Sequence, residues 1–328
     1  MGFRMSVMKK LLIIIFFLMV SGAFFVFYCM QNIHEPHALQ QVEIVIPKGA
    51  GLGRTIGVLE TNGVIDDVWF AEIYARVMKL SGKLKAGEYR FDGQYSLADV
   101  FNKLVKGEVM LRSITIAEGK SLAEIRNILS ENPNLSGDIT LDLKEGDILP
   151  ETYHFVKGES RNGILRKARK AMQKVLADAH ESMDKDLPIK SAQELLILAS
   201  IVEKETGIAS ERKQVASVFV NRLRIGMRLQ TDPTVIYAVT DGKMDLGRPL
   251  YKKDLKFDSP YNTYLYAGLP PAPICSPGKE AIFSAAHPDK TKYLYFVADG
   301  ITGGHRFAKT LKEHNNNVLL YRKQKRNR

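Results

Sequence analysis

A chain of 328 residues with 45% apolar side chains is longer than one typical domain and can bury a sizeable core. Its formal net charge of +11 is concentrated at the ends: Arg4, Lys9 and Lys10 give +3 and the terminal RKQKRNR (322–328) gives +5, leaving +3 for residues 31–321. With no basic stripe interleaved with aromatics, this distribution argues against nucleic acid and suits a surface of anionic lipid or an acidic wall polymer.

Residues 1–10 read as a cytoplasmic tail. Residues 11–30 (LLIIIFFLMVSGAFFVFYCM) carry no charge, and 20 helical residues at 1.5 Å each span a hydrocarbon core of about 30 Å. Ser21-Gly22-Ala23 resembles a signal-peptidase site, but the apolar run continues past it as FFVFYCM, so the segment reads as an uncleaved transmembrane helix. Lys9 and Lys10 precede it and QNIHEPH follows, which places the N-terminus in the cytoplasm and residues 31–328 outside. Of the two cysteines, Cys29 lies in the span and Cys275 far along the outer region. No disulfide is therefore expected, and a large disulfide-free outer region leans bacterial.

A polar linker over 31–41 leads into a β-α-α-β rhythm. Val42, Ile44 and Ile46 alternate like a strand, 55–60 and 67–80 carry helical apolar spacing, and 84–91 (LKAGEYRF) returns as a strand. Two serine-led copies follow at a 25-residue period, Ser96-Leu97-Ala98-Asp99-Val100 and Ser121-Leu122-Ala123-Glu124-Ile125, each with an acid three residues after the serine, as a helix N-cap requires. Residues 114–116 form a strand before the second copy. Residues 42–131 are thus expected to form one module with an added strand-helix repeat, ended by the polar stretch 132–146.

A basic amphipathic helix spans 163–183. Ser191 with Glu194 opens the next helix and Gly207 stops it; Ser210 caps another, and Asp232 caps a third before Pro233. A strand at 293–297 and a helix after His305 complete a domain of residues 145–321, followed by the basic tail 322–328.

Several signatures fail. GAGLGR (49–54) has Arg54 where the dinucleotide fingerprint needs glycine. GGHRFAKT (303–310) has Ala308 where a P-loop needs glycine, and the histidines show no metal-binding spacing. No metal or cofactor is expected. The stretch LASIVEKETG (198–207) stands apart, because it ends an apolar run with two carboxylates. At 100° per residue, Glu203 shares a face with Leu196, Ala199 and Ser200, whereas Glu205 points about 200° away beside Leu198 and Ile201. A buried carboxyl has a raised pKa and can donate a proton near neutrality; its structural alternative is a partner such as Arg212 or Arg222. Ordinary glycosidases need two carboxylates flanking the bond. Two residues apart on a helix, these two cannot, so sugar chemistry here would use one carboxyl and a nucleophile of the substrate itself.

The run ASIVEKETGIASERKQVASVFVNRLRIGMRLQTDPTVIYA (199–238), with LPETYHF (149–155), SPYNTYLYAGLPPAPICSPG (259–278) and YLYFVADGITGGHRFAKTLKEHN (293–315), resembles the YceG-like (MltG) family of endolytic murein transglycosylases. The resemblance covers nearly all of 145–318 and implies an α+β fold: a transmembrane helix, a LysM-like βααβ module and a mixed α/β catalytic domain. It implies a lyase that cleaves the MurNAc–GlcNAc β-1,4 bond inside nascent peptidoglycan strands without water, leaving 1,6-anhydroMurNAc ends and limiting strand length. It also implies work beside the peptidoglycan synthases (penicillin-binding proteins) at the outer face of the inner membrane. The catalytic glutamate of the family falls on Glu203. Asn221, Gln230, Asp232, Tyr261, Asn262 and Thr263 are candidate sugar-binding residues, and Glu151 a distant second carboxylate whose Pro-Glu-Thr setting suits a helix cap. A hydrolytic muramidase and a non-catalytic wall-binding scaffold remain the alternative functions.

Overall fold

The computed structural model describes residues 7–243 and 246–326, so most of the expected cytoplasmic tail and the last two residues of the basic tail lie outside the described residues. The chain divides into two compact units, 1–112 and 113–328.

The first unit starts with α1 (Val7–His34). Within it, Leu11–His34 is long and apolar enough to cross a membrane. Strand β1 (His37–Ile46), helices α2 (Leu52–Thr61) and α3 (Val68–Val77), strand β2 (Gly87–Tyr95) and helix α4 (Leu97–Lys106) follow. The expected linker is therefore shorter than read, because α1 runs to His34 and β1 begins at His37. The strands pair antiparallel, His37 opposite Tyr95 and Ile46 opposite Gly87, with an irregularity between Leu39 and Val42. Their alternation turns Ile44, Ile46, Tyr89 and Phe91 onto one buried face, which α2 and α4 cover with Ile56, Leu59, Phe101 and Leu104. Asp67 caps α3, accepting from the Phe70 amide at 2.8 Å. Ser96 and Asp99 form a complete capping box on α4, and Gly107 ends that helix in the left-handed region.

The second unit holds β3 (Arg112–Thr115), α5 (Leu122–Ser130), β4 (Leu135–Ser136), β5 (Thr152–Phe155), β6 (Glu159–Ser160) and α6 (Arg161–Ser182). Then come α7 (Ala192–Glu205), α8 (Arg212–Arg224), α9 (Asp232–Thr240), α10 (Lys279–Ala286), β7 (Tyr295–Ala298), β8 (His305–Ala308) and α11 (Leu311–Arg326). Its sheets are small: β3 pairs with β5, β4 runs parallel to β6, and β7 is antiparallel to β8. The second serine-led copy, capped by Ser121 and Glu124, belongs to this unit. Stretch 132–146 also lies inside it, so the compact units divide at 112/113 and not at the expected polar boundary. Its loop is held by Arg161, whose guanidinium donates to the carbonyls of Leu129, Ser130, Asn132 and Gly137 at 2.7–3.0 Å.

Helix α7 is the hub, packed on by α6, α8, α9 and α10, with every residue from Leu195 to Val202 buried. Ser191 caps it as expected. Glu194, however, reaches back to the Lys190 amide. Three other expected helix ends differ. Thr206, in extended conformation, follows the last turn of α7, and Gly207 is not left-handed. Ser210 sits in a 3-10 turn (Ala209–Glu211), so Glu211 precedes α8. Asp232 is the first residue of α9 instead of its cap, and the Thr231 side chain leaves that helix uncapped. Glu151 leads into β5, not into a helix.

Candidate active site

The last turn of α7 presents Glu203 and Glu205 to different surroundings. One oxygen of Glu203 accepts the Gly278 amide at 2.9 Å, and the other lies 4.0 Å from Nη2 of Arg212. That nitrogen also lies 3.5 Å from Oε2 of Glu118. The Glu203 side chain is only 6% exposed. Burial raises its pKa, with Glu118 adding to the rise, while the Gly278 amide, Arg212 and Lys204 oppose it. A Cβ at Gly278 would stand 1.8 Å from Oε1 of Glu118, so the absent side chain lets Glu118 close over this corner. A neighbouring cleft of about 260 Å³ is lined by Glu118, Lys120, Glu124, Lys204 and Tyr237 among others, and Glu203 is not in its lining.

Near that cleft, a third carboxyl escaped the sequence reading. Glu145 accepts the Leu122 amide, at the N-terminus of α5, at 2.8 Å, and stands 3.4 Å from the Tyr237 hydroxyl. Burial pushes it up to about 7.

Glu205 lines a cavity of about 170 Å³ together with Arg222, Gln230, Asp232 and Tyr264, between apolar walls of Phe219, Leu229 and Phe296. The Thr231 hydroxyl donates to Oε1 of Glu205. The Tyr264 hydroxyl donates to Asp232 at 2.6 Å. Burial raises the Glu205 pKa, and the charge of Asp232 raises it further; the Thr231 bond, His305 and Arg222 pull the other way. Arg222 is fixed by bonds to the carbonyls of Leu294 and Leu229, both at 2.6 Å, so it presents a positioned positive charge. Gln230 is held at φ 47, a left-handed conformation that costs a non-glycine residue about 1–2 kcal/mol. Its amide bonds to the Thr263 carbonyl at 3.2 Å.

The expected sugar-binding residues therefore separate into two groups. Gln230 and Asp232 meet at the cavity, beside Glu205 and not Glu203. Asn221 spends its amide on the carbonyls of Thr291 and Tyr293, both at 3.0 Å. Asn262 is fully buried, donating to Leu255 and Phe257 and accepting from the Tyr264 amide, which positions Tyr264. Thr263 accepts the Thr231 amide at 3.1 Å and shares a bond with Thr234 at 2.8 Å. Tyr261 packs its ring 4.8 Å from that of Tyr237. These four build walls and leave few free polar atoms for a sugar.

Fold and site together define a mixed α/β protein whose last hub-helix turn holds two carboxyls, each with a pKa raised by burial. The chain belongs to the YceG-like family, whose model matches residues 44–319. It is 33% identical to a Bacillus subtilis protein named endolytic murein transglycosylase, over 91% of this chain and 89% of that protein. A Streptococcus pneumoniae protein of the same name is 29% identical over 89% of this chain but only 60% of its own length. The crystal structure of a YceG-like protein from Listeria monocytogenes superposes with a TM-score of 0.53 at 31% identity, covering 84% of this chain and 99% of that one.

Proposed function

We propose that this protein is a membrane-anchored lytic transglycosylase that cuts inside peptidoglycan strands, and that Glu205 is its acid and base. The observation that carries the assignment is the cavity in which Glu205 meets Asp232, Gln230, Arg222 and Tyr264; the names of the relatives supply the substrate class. Protonated Glu205 gives its proton to the bridging oxygen as the bond from MurNAc C1 to that oxygen breaks. The C6 hydroxyl of the same MurNAc then attacks C1, and its proton passes to the Glu205 carboxylate. The ring closes as 1,6-anhydroMurNAc, no water is consumed, and the acid is restored. Asp232, held by Tyr264, is placed to stabilise positive charge developing at C1.

A second reading keeps Glu203 as the acid, because its pKa is also raised and a larger cleft lies beside it. It is the weaker one, since the oxygens of Glu203 face a backbone amide and an arginine. The presence of Asp232 beside Glu205 also keeps a two-carboxylate hydrolytic mechanism in view. Digestion of uncrosslinked glycan followed by mass spectrometry decides the reaction. Ends lacking a water mean the anhydro product; ends carrying one mean a muramidase; bound glycan without fragments means a scaffold.

The remaining assignments belong to the same proposal. With α1 as the anchor and Lys9 and Lys10 inside, the enzyme works on the outer face of the cytoplasmic membrane, where synthases extrude new strands and where cutting would limit strand length. The β1-α2-α3-β2 order with antiparallel strands is that of a LysM-like module suited to holding glycan. Sacculus pull-down with the full chain, carrying substitutions confined to that module, tests this.

A further inference from the structure

Helix α3 has three distinct faces. Ala71 and Ala75 are fully buried against the core of the first unit, and Glu72 pairs with Arg76 on a second face. The third carries Trp69, Ile73 and Val77 at i, i+4 and i+8, with Trp69 65% and Val77 71% exposed and Met78 exposed just beyond. Single exposed apolar residues are ordinary. A contiguous row of large ones marks a surface that something covers.

The position of this face in the fold indicates what covers it. Ile73, Val77 and Met78 form one wall of a cleft of about 370 Å³ whose other wall is α1, through Phe25, Cys29 and Met30. The same turns of α1 point their polar side elsewhere: Tyr28 and Asn32 line a separate cleft with Asp66 and Asp67. The α1 wall belongs to the segment apolar enough to cross a membrane. A hydrocarbon core takes up about 20 helical residues, so Phe25, Cys29 and Met30 stand near its boundary, and the α3 wall opposite them stands at the same depth. Lys79 and Lys83 follow directly, both exposed, where an ammonium meets lipid phosphate. Tryptophan is itself favoured at this boundary.

We propose that α3 is seated in the membrane surface, with Trp69, Ile73, Val77 and Met78 among the acyl chains of the leaflet through which α1 emerges and Lys79 and Lys83 at the phosphates. The surface is apolar with a cationic rim and continuous with the lipid-facing side of α1, a combination that matches phospholipid better than a partner protein. The inference rests on reading α1 as a membrane span.

Trp69 is the only tryptophan of the chain, so the native protein carries its own reporter. The full-length protein is reconstituted in vesicles containing anionic phospholipid, with or without bromine on the acyl chains. Resistance to alkaline carbonate extraction reports the span, and tryptophan emission reports α3. The expected result is retention, a blue-shifted emission, loss of most of that emission to brominated lipid, and little quenching by aqueous acrylamide. An Ile73→Asp/Val77→Asp variant should remain in the vesicles and lose the lipid quenching. Retention with unquenched emission overturns the seating of α3 while leaving the span intact, whether acrylamide reaches Trp69 (open water) or fails to (a protein cover). Quenching undiminished in the double variant also overturns it. Extraction by carbonate removes both readings.

Discussion

Glu203 and Glu205 leave the same helical turn two residues apart, and burial raises the pKa of both. What separates them is what their oxygens meet. Glu203 faces the Gly278 amide and the guanidinium of Arg212, partners that belong to other segments of the unit, and the exposed Glu118 closes the corner. Glu205 faces a hydroxyl on one side and a cavity lined by a carboxylate, an amide and a phenol on the other. The first arrangement ties the end of α7 to neighbouring loops; the second leaves a lined cavity beside the carboxyl. Desolvation makes a carboxyl hold its proton, but only an open side lets it deliver that proton.

The largest test of this contrast is a pair of amides. Glu205→Gln should lower kcat by roughly 10²–10⁴-fold, the usual range for a general acid, in a protein with an unchanged circular dichroism spectrum. Glu203→Gln should instead keep turnover within a few-fold and lose about 1–3 kcal/mol in urea unfolding, because one of the two oxygens that meet the Gly278 amide and Arg212 gives way to an NH2 donor. The opposite pattern would hand the role back to Glu203.

Glu145 sharpens the point, since its pKa of about 7 is raised with no role assigned. Below its ordinary 4.5 the group is protonated in both states, so the fold has its full stability. Between that value and about 7 the unfolded chain ionises first, and stability falls as pH rises. The loss, complete above the folded pKa, is up to roughly 3 kcal/mol, and Glu145→Gln should flatten that slope in denaturation midpoints read from pH 4.5 to 8. Turnover per folded molecule should stay the same.

The finest adjustment is Thr231→Val. It removes the hydroxyl that stabilises ionised Glu205, so the acid should hold its proton to higher pH. The alkaline limb of kcat/KM should move upward by less than about one pH unit. An unmoved limb would mean that Glu205 is not the titrating acid.

How much of this was readable from residues alone depended on range. Both serine-led helices were legible, because a capping box is closed within four residues. The ends at Gly207 and Ser210 were not, since a 3-10 turn between two buried helices replaced the expected stop and cap. Strand β8 was hidden inside a stretch that suggested a nucleotide loop, and its identity as a strand depends on β7. The choice of glutamate could not come from a helical wheel: α7 is buried all round, so Leu196, Ala199, Leu198 and Ile201 carry the same signal on opposite sides. Asn221, Asn262 and Thr263 have side chains that a sugar site could use, and here they satisfy backbone groups up to 72 residues away. Glu118 and Glu145 sit in ordinary polar stretches, and only folding brings them near their partners.

Arg161 has a mechanical consequence. One side chain grips four carbonyls across 129–137, two of them in the last turn of α5, and so turns what the sequence offered as a boundary into a rivet. A protease offered the native chain should find no seam at 132–146, and a pull applied through α1 would have to tear out this guanidinium before α5 and α6 could part. Arg161→Met would open a nicking site there without touching any residue near the two clefts.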